Sequence, residues 1–261
     1  MLTLMSLVAL AADPPKPLVE YPHPLITEVL YAVPTGDAGD ANGDGKRETN
    51  GDEFVELVNP HERSISIRGY VLTGKSGDDP QKKYKTLRFV FPPVTLQPGE
   101  VVVVFNGYKQ SWTGPVGTTA RAPEGVNDKF SAARILTMEV ESARLGLSNK
   151  ADYILLTAPG GEAVQCVKWG DIKPPAGAQL VEDAPQADRG SVTRRTPTGP
   201  LEPHPAIDGK RFSPGKFPFD KPAATIPEAP PQPGKPPAKP VKPPTGNSPN
   251  PPSKDPEPAG G

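Results

Sequence analysis

Asp40, Asn42 and Asp44 occupy alternate positions in the stretch DANGDG, and Gly45 follows them. Alternate spacing turns short oxygen-bearing side chains toward one point, and the glycine permits a sharp bend. A loop that wraps a hard cation such as calcium needs both. Counting Asp40 as position 1, the Lys46 carbonyl falls at position 7 and Glu48 at position 9. Position 12, where an EF-hand places a bidentate glutamate, is Gly51, and Asp52 one residue later is the natural substitute. Asp37 reaches the same point from the other side. The expected ligand set is therefore Asp40, Asn42, Asp44, Lys46, Glu48 and Asp52, around a structural Ca2+ of low affinity, on the order of 10⁻⁴ to 10⁻³ M. Asp40, Asp44, Glu48 and Asp52 crowd into thirteen residues and repel one another unless a cation intervenes. Asp, Asn and Gly also build any tight, solvated turn, so a plain turn is the competing reading.

Nucleophilic chemistry is poorly supplied. Cys166, the single cysteine, lies in the strand-like run AVQCVKW, where a small apolar thiol suits a core. With one cysteine there is no intramolecular disulfide. The three histidines, His23, His61 and His204, fall in no catalytic motif, and two of them are flanked by proline. Trp112 is the aromatic side chain best suited to contact a carbohydrate or peptide, while Trp169 reads as core. Arg194, Arg195, Lys210 and Arg211 form a modest basic cluster of the kind that usually lines a solvated face.

The elements that must position these residues are short. Residues 25–33 read as a first strand, 54–59 as a second, and the polar loop joins them. Further strands are expected at 64–67, 69–73, 85–91, 100–105, 153–157 and 164–169, with a short edge strand at 191–194. Ala158-Pro159-Gly160-Gly161 is a hairpin signal. Residues 106–144 are a long insertion in which 130–142 reads equally as helix or irregular strand. Short strands punctuated by turns predict an all-β antiparallel sandwich or barrel.

Composition divides the chain. Of 38 prolines, fifteen lie between Pro222 and Pro258, in a segment that cannot form a ladder and is expected to be a disordered, polyproline-like spacer over 220–261. A ligand for a proline-reading domain is the other reading of that tail. Residues 1–12 form an apolar block ending in Ala9-Leu10-Ala11 before Asp13-Pro14. They are expected to be a signal peptide, with an apolar N-terminal strand as the alternative, and they are too short to span a bilayer. A linker follows over 13–23. Net charge is −1, so no global field recruits nucleic acid.

The order of motifs resembles the lamin tail domain family, in its bacterial exported type. The matching residues are Ile26-Thr27-Glu28-Val29-Leu30, the run from Asp52 to Asn59, Ile65 to Leu72, and Phe91 through Leu96-Gln97-Pro98-Gly99-Glu100. Leu147 to Asp152, Val167-Lys168-Trp169-Gly170, Ser191-Val192-Thr193-Arg194 and Phe212-Ser213-Pro214-Gly215 continue it. The resemblance covers about residues 24–219 and implies an immunoglobulin-like β-sandwich without catalytic residues. Together with the apolar N-terminal block it leads to the expectation of a secreted, periplasmic or cell-surface module for adhesion or scaffolding, a monomer that meets an extracellular protein or polysaccharide. An accessory targeting domain of an extracellular hydrolase or nuclease system is the alternative, and a nucleic-acid-binding module the second alternative.

Overall fold

The computed structural model describes residues 16–75, 87–142 and 145–218. The expected signal peptide, the proline-rich tail and the start of the strand expected at 85–91 lie outside those residues. Thirteen strands occur among the described residues: β1 (Leu25–Ala32), β2 (Phe54–Val58), β3 (Ile65–Ser66), β4 (Val71–Gly74), β5 (Arg88–Val90), β6 (Thr95–Leu96), β7 (Val101–Phe105), β8 (Arg134–Thr137), β9 (Asp152–Thr157), β10 (Ala163–Trp169), β11 (Leu180–Asp183), β12 (Gly190–Thr193) and β13 (Glu202–Pro203). They form a six-stranded sheet ordered β13-β12-β1-β2-β7-β8, a five-stranded sheet ordered β11-β10-β9-β4-β5, and the small pair β3-β6. The sandwich is antiparallel except at two edges, where β7–β8 and β10–β11 run parallel.

β-branched and aromatic residues dominate the strands that pair at the centre. Val101–Phe105 is wholly buried and lies between β2 and β8, as expected where both faces of a strand are covered. Tyr31 of β1 stacks on Trp169 of β10, with ring centroids 4.1 Å apart and planes 6° apart, and so joins the two sheets. The Trp169 indole N–H donates to the Ser148 carbonyl at 2.7 Å, which satisfies its polar atom inside the core.

Three placements differ from the sequence expectation. β12 is not an edge strand; it pairs with β1 on one side and β13 on the other. The stretch 130–142 is neither helix nor irregular strand throughout. It follows a 3-10 turn, Asp128–Phe130, capped by the Asn127 side chain, and holds the four-residue strand β8. Arg194 is not on a solvated face but fully buried. Its guanidinium donates to the Ile26 carbonyl (3.0 Å), the Gly199 carbonyl (2.6 Å) and Glu182 (2.7 Å). A charge can sit there because each of the three guanidinium nitrogens has an acceptor, one of them a carboxylate.

Candidate functional site

The chain leaves β1 at Pro34 and returns to β2 through the acidic loop, which Asp52 closes from below. Asp52 is fully buried. One of its oxygens accepts the N–H groups of Ala41 (2.7 Å) and Asn42 (3.1 Å), and the other accepts that of Glu48 (2.7 Å). One carboxylate thus ties both limbs of the loop together. Burial raises its pKa, the three N–H donors oppose the rise, and Asp40 adds to it.

Above Asp52 the loop folds on its own side chains. Asp40 accepts from the N–H of Asp44 (3.1 Å) and Gly45 (2.9 Å), Asn42 accepts from the same Asp44 N–H (3.0 Å), and Asp44 accepts from Lys46 N–H (2.8 Å). These are the local side-chain-to-backbone closures that Asx residues favour. Gly43 (φ 67°) and Gly45 (φ 85°) adopt the left-handed backbone these closures require. Asp40, Asn42 and Asp44 are therefore brought together, whereas Asp52 lies beneath them, and Lys46 and Glu48 enter through their N–H groups. Among the described residues no group of three or more His, Cys, Asp or Glu side chains is arranged to hold a metal ion. Two ammonium groups meet the loop's negative end: Lys129 donates to the Gly43 carbonyl at 2.6 Å and Lys210 to the Asp40 carbonyl at 3.4 Å.

Gly51 has its own reason. A Cβ there would overlap the Tyr108 carbonyl oxygen and lie 2.8 Å from the Gln110 carboxamide. Both polar atoms of that carboxamide are buried with no hydrogen-bond partner among the described residues.

The loop also grips the insertion. Asp44 accepts the Ser111 N–H at 2.7 Å, and the Asn42 amide donates to the Ser111 carbonyl at 3.1 Å. Both backbone groups of Ser111 are held, and Trp112 follows directly. The Trp112 ring meets Phe105 edge-on, with centroids 5.2 Å apart, and stays partly exposed. It lines a hollow of about 390 Å³ with Thr118, Arg121, Glu124 and Glu139. Asn127 holds the segment just after Trp112 by donating to the carbonyls of Thr113 (2.8 Å) and Pro115 (3.3 Å).

A second polar cluster escaped the sequence reading. Glu28 and Glu56, cross-strand partners on β1 and β2, are both buried. Glu28 accepts from Ser191 Oγ (2.6 Å), Ser213 N–H (3.0 Å) and Ser213 Oγ (3.1 Å). Glu56 accepts from Thr27 Oγ1 (2.7 Å) and Gly215 N–H (2.7 Å). Burial raises both pKa values, Glu56 to about 8 with help from the charge of Glu28, while His204 pulls Glu28 down. His204 Nε2 lies 2.8 Å from Ser213 Oγ and Nδ1 lies 2.6 Å from the Pro205 carbonyl. A carbonyl only accepts, so Nδ1 carries a proton. A serine nucleophile must open onto substrate, but Ser213 is buried with its N–H and Oγ both on Glu28. The cluster fastens residues 204–215 over β1 and β2. A faint signal existed: both glutamates sit in runs otherwise fit for a core.

Cys166 is fully buried in β10.

A family model described as Lamin Tail Domain matches residues 21–171, more than half of the 261-residue chain. The chain belongs to the lamin tail domain family. No curated protein matches the sequence. The lamin tail domain is a non-catalytic, immunoglobulin-like module, and the all-β sandwich agrees with it. The lamin-tail match spans β1 to β10. β12, which pairs with β1, and the Ser213–Gly215 segment, which covers Glu28 and Glu56, lie beyond it. Among the described residues no helix is long and apolar enough to cross a membrane.

Proposed function

We propose that this lamin tail domain protein is a non-enzymatic, exported interaction module that serves adhesion or cell-surface scaffolding through the loop-and-insertion end of its sandwich. The observation that carries the reading is the double hold of Asn42 and Asp44 on Ser111, which fixes a partly exposed Trp112 at the lip of a hollow. Binding residues set on a loop but locked to a rigid scaffold are a recurring arrangement for recognition. The basic cluster gives little support to nucleic-acid binding, since Arg194 is buried and Arg195 pairs with Glu202 at 2.6 Å. The Ala9-Leu10-Ala11 block supports export.

The reading includes a weak structural calcium site in the loop. Its support is the crowding of four carboxylates, Asp40, Asp44, Glu48 and Asp52, into thirteen residues, and the unpartnered Gln110 carboxamide standing beside Gly51, at position 12 of the loop. A buried amide without a partner marks a place for a water or an ion.

Two measurements test the proposal. Fractionation with intact-mass determination is expected to find the chain outside the cytoplasm and lacking its first residues; an intact Met1 in the cytosol defeats export. Fluorescently labelled full-length protein is expected to sediment with isolated cell envelopes, and a failure to do so at micromolar concentration defeats the interaction role.

A further inference from the structure

Three side chains around the Trp112 hollow are left over by the fold. The side chains of Arg121, Glu124 and Glu139 are exposed and make no hydrogen bond or ion pair among the described residues. They place one planar donor fork and two carboxylate acceptors around a partly exposed indole. Nothing in the fold uses them, yet the segment that carries them is firmly held. Gly117 exchanges hydrogen bonds with β8 (Gly117 N–H to Ile135 carbonyl 2.9 Å, Thr137 N–H to Gly117 carbonyl 3.0 Å), and Thr118 and Arg121 close a turn on each other. Glu139 is held in the left-handed region (φ 50°), its N–H on Thr137 Oγ1 at 3.2 Å. A non-glycine residue there costs energy unless its surroundings enforce it.

The chemistry of this wall selects among ligands. A partly exposed indole flanked by donors and acceptors on a held backbone suits a ring that is apolar on its faces and hydroxylated at its rim. That describes a sugar. The hollow, at about 390 Å³, falls in the roughly 300–1,000 Å³ range of small-ligand sites. A peptide adding as a strand needs a free backbone ladder, but at the β8 edge Gly117 already occupies the Ile135 carbonyl and the Thr137 N–H. Two carboxylates against one guanidinium leave the wall net negative, which opposes a sulfated or uronate-rich glycan and equally a nucleic acid.

We propose that the hollow formed by Trp112, Arg121, Glu124 and Glu139 is a binding site for a neutral oligosaccharide, with the sugar ring on the indole and its hydroxyls on the three polar side chains. This deepens the interaction-module reading and rests on it. Asn42 and Asp44 act as positioning residues, through Ser111.

Affinity electrophoresis of the full-length chain through native gels cast with a β-glucan, a galactomannan or a xylan tests it, with heparin and duplex DNA as polyanionic probes. Retardation is expected with at least one neutral polysaccharide and with neither polyanion. Arg121→Ala and Glu124→Ala, at exposed positions that leave the fold intact, are expected to weaken it several-fold. Trp112→Ala is expected to weaken it about tenfold or more, the scale of losing an aromatic anchor, and Trp112→Phe to retain part of it. No retardation in any neutral gel overturns the sugar site, as does retardation that all of these variants leave unchanged, or retardation by polyanions alone. Envelope sedimentation separates the two readings. If Trp112→Ala still sediments as the parent does, the hollow is overturned and the interaction role survives; if the parent does not sediment, the interaction role itself fails.

Discussion

Asp44 Oδ2 accepts the backbone N–H of Ser111 at 2.7 Å across 67 residues of sequence. The other oxygen of the same carboxylate closes the loop on Lys46. One side chain therefore shapes the acidic loop and anchors the insertion. Asp44→Ala removes a charge-assisted acceptor from two N–H groups, and such hydrogen bonds are worth about 1.5–3 kcal/mol each when well shielded. Asp44 is only partly buried, so a total loss of about 1–2 kcal/mol is expected, seen as a lower thermal midpoint. Trp169 is enclosed in the core, so a change in tryptophan emission in this variant reports Trp112. Unaltered emission and an unaltered midpoint would show that Ser111 is held by something else.

Gly51→Ala tests how closely the loop passes the insertion. The added methyl would overlap the Tyr108 carbonyl, a backbone atom that cannot swing aside, and press on Gln110. Overpacking of this kind costs about 1–3 kcal/mol. Gly45→Ala is the contrast: a Cβ there meets nothing within 4 Å, and only its φ of 85° resists the substitution. Denaturant midpoints are expected to fall in the order parent, Gly45→Ala, Gly51→Ala. The reverse order would mean that backbone conformation and not close approach decides the loop.

Calcium makes a separate prediction. With an affinity in the range of about 10⁻⁴ to 10⁻³ M, addition of calcium to about 10 mM stabilises the folded chain by about 1.4–2.7 kcal/mol through mass action. That corresponds to a rise of about 3–10 °C for a domain of this size, reversed by chelator. Gln110→Met, which fills the same space without the amide, is expected to shrink the rise. A midpoint indifferent to both calcium and chelator removes the ion, and Lys129 and Lys210 then suffice for the loop's charge.

The strands were largely legible because local chemistry decides them. Val101–Phe105 is β-branched almost throughout, and the Pro159–Gly161 turn closes β9 onto β10, with the Gly161 N–H on the Ala158 carbonyl. The role of Trp169 followed from its strand context. What stayed hidden was settled by contacts distant in sequence. Arg194 looked solvated beside Arg195, yet its partners Ile26 and Glu182 come from different sheets. Glu28 is buried by Ser213, 185 residues later. The acidic loop showed its residue types but not its errand, since no periodicity links Asp44 to Ser111. Gly51 looked like a missing ligand, while its neighbour Tyr108 makes glycine obligatory.

The buried carboxyl groups set the pH dependence of stability. Glu28, Glu53, Glu56, Asp52 and Asp152 all have pKa values raised first by burial. A carboxyl whose folded pKa exceeds its unfolded value binds a proton more tightly when folded. Its contribution is fully present below the unfolded pKa and is lost as pH rises through the folded one. For Glu56 that window runs from 4.5 to about 8. Stability is therefore expected to decline from pH 5 to pH 9, because ionising Glu56 beside Glu28 places two negative charges on neighbouring strands in the core. Glu56→Gln keeps an oxygen for the Gly215 N–H and an amide donor for Thr27 Oγ1. It is expected to match the parent near pH 5 and to exceed it at pH 9, by several degrees in thermal midpoint at about 2–4 °C per kcal/mol. Equilibrium denaturation across that range is the check. A parent whose stability climbs toward pH 9, or a variant with the parent's full slope, would place the proton elsewhere than on Glu56.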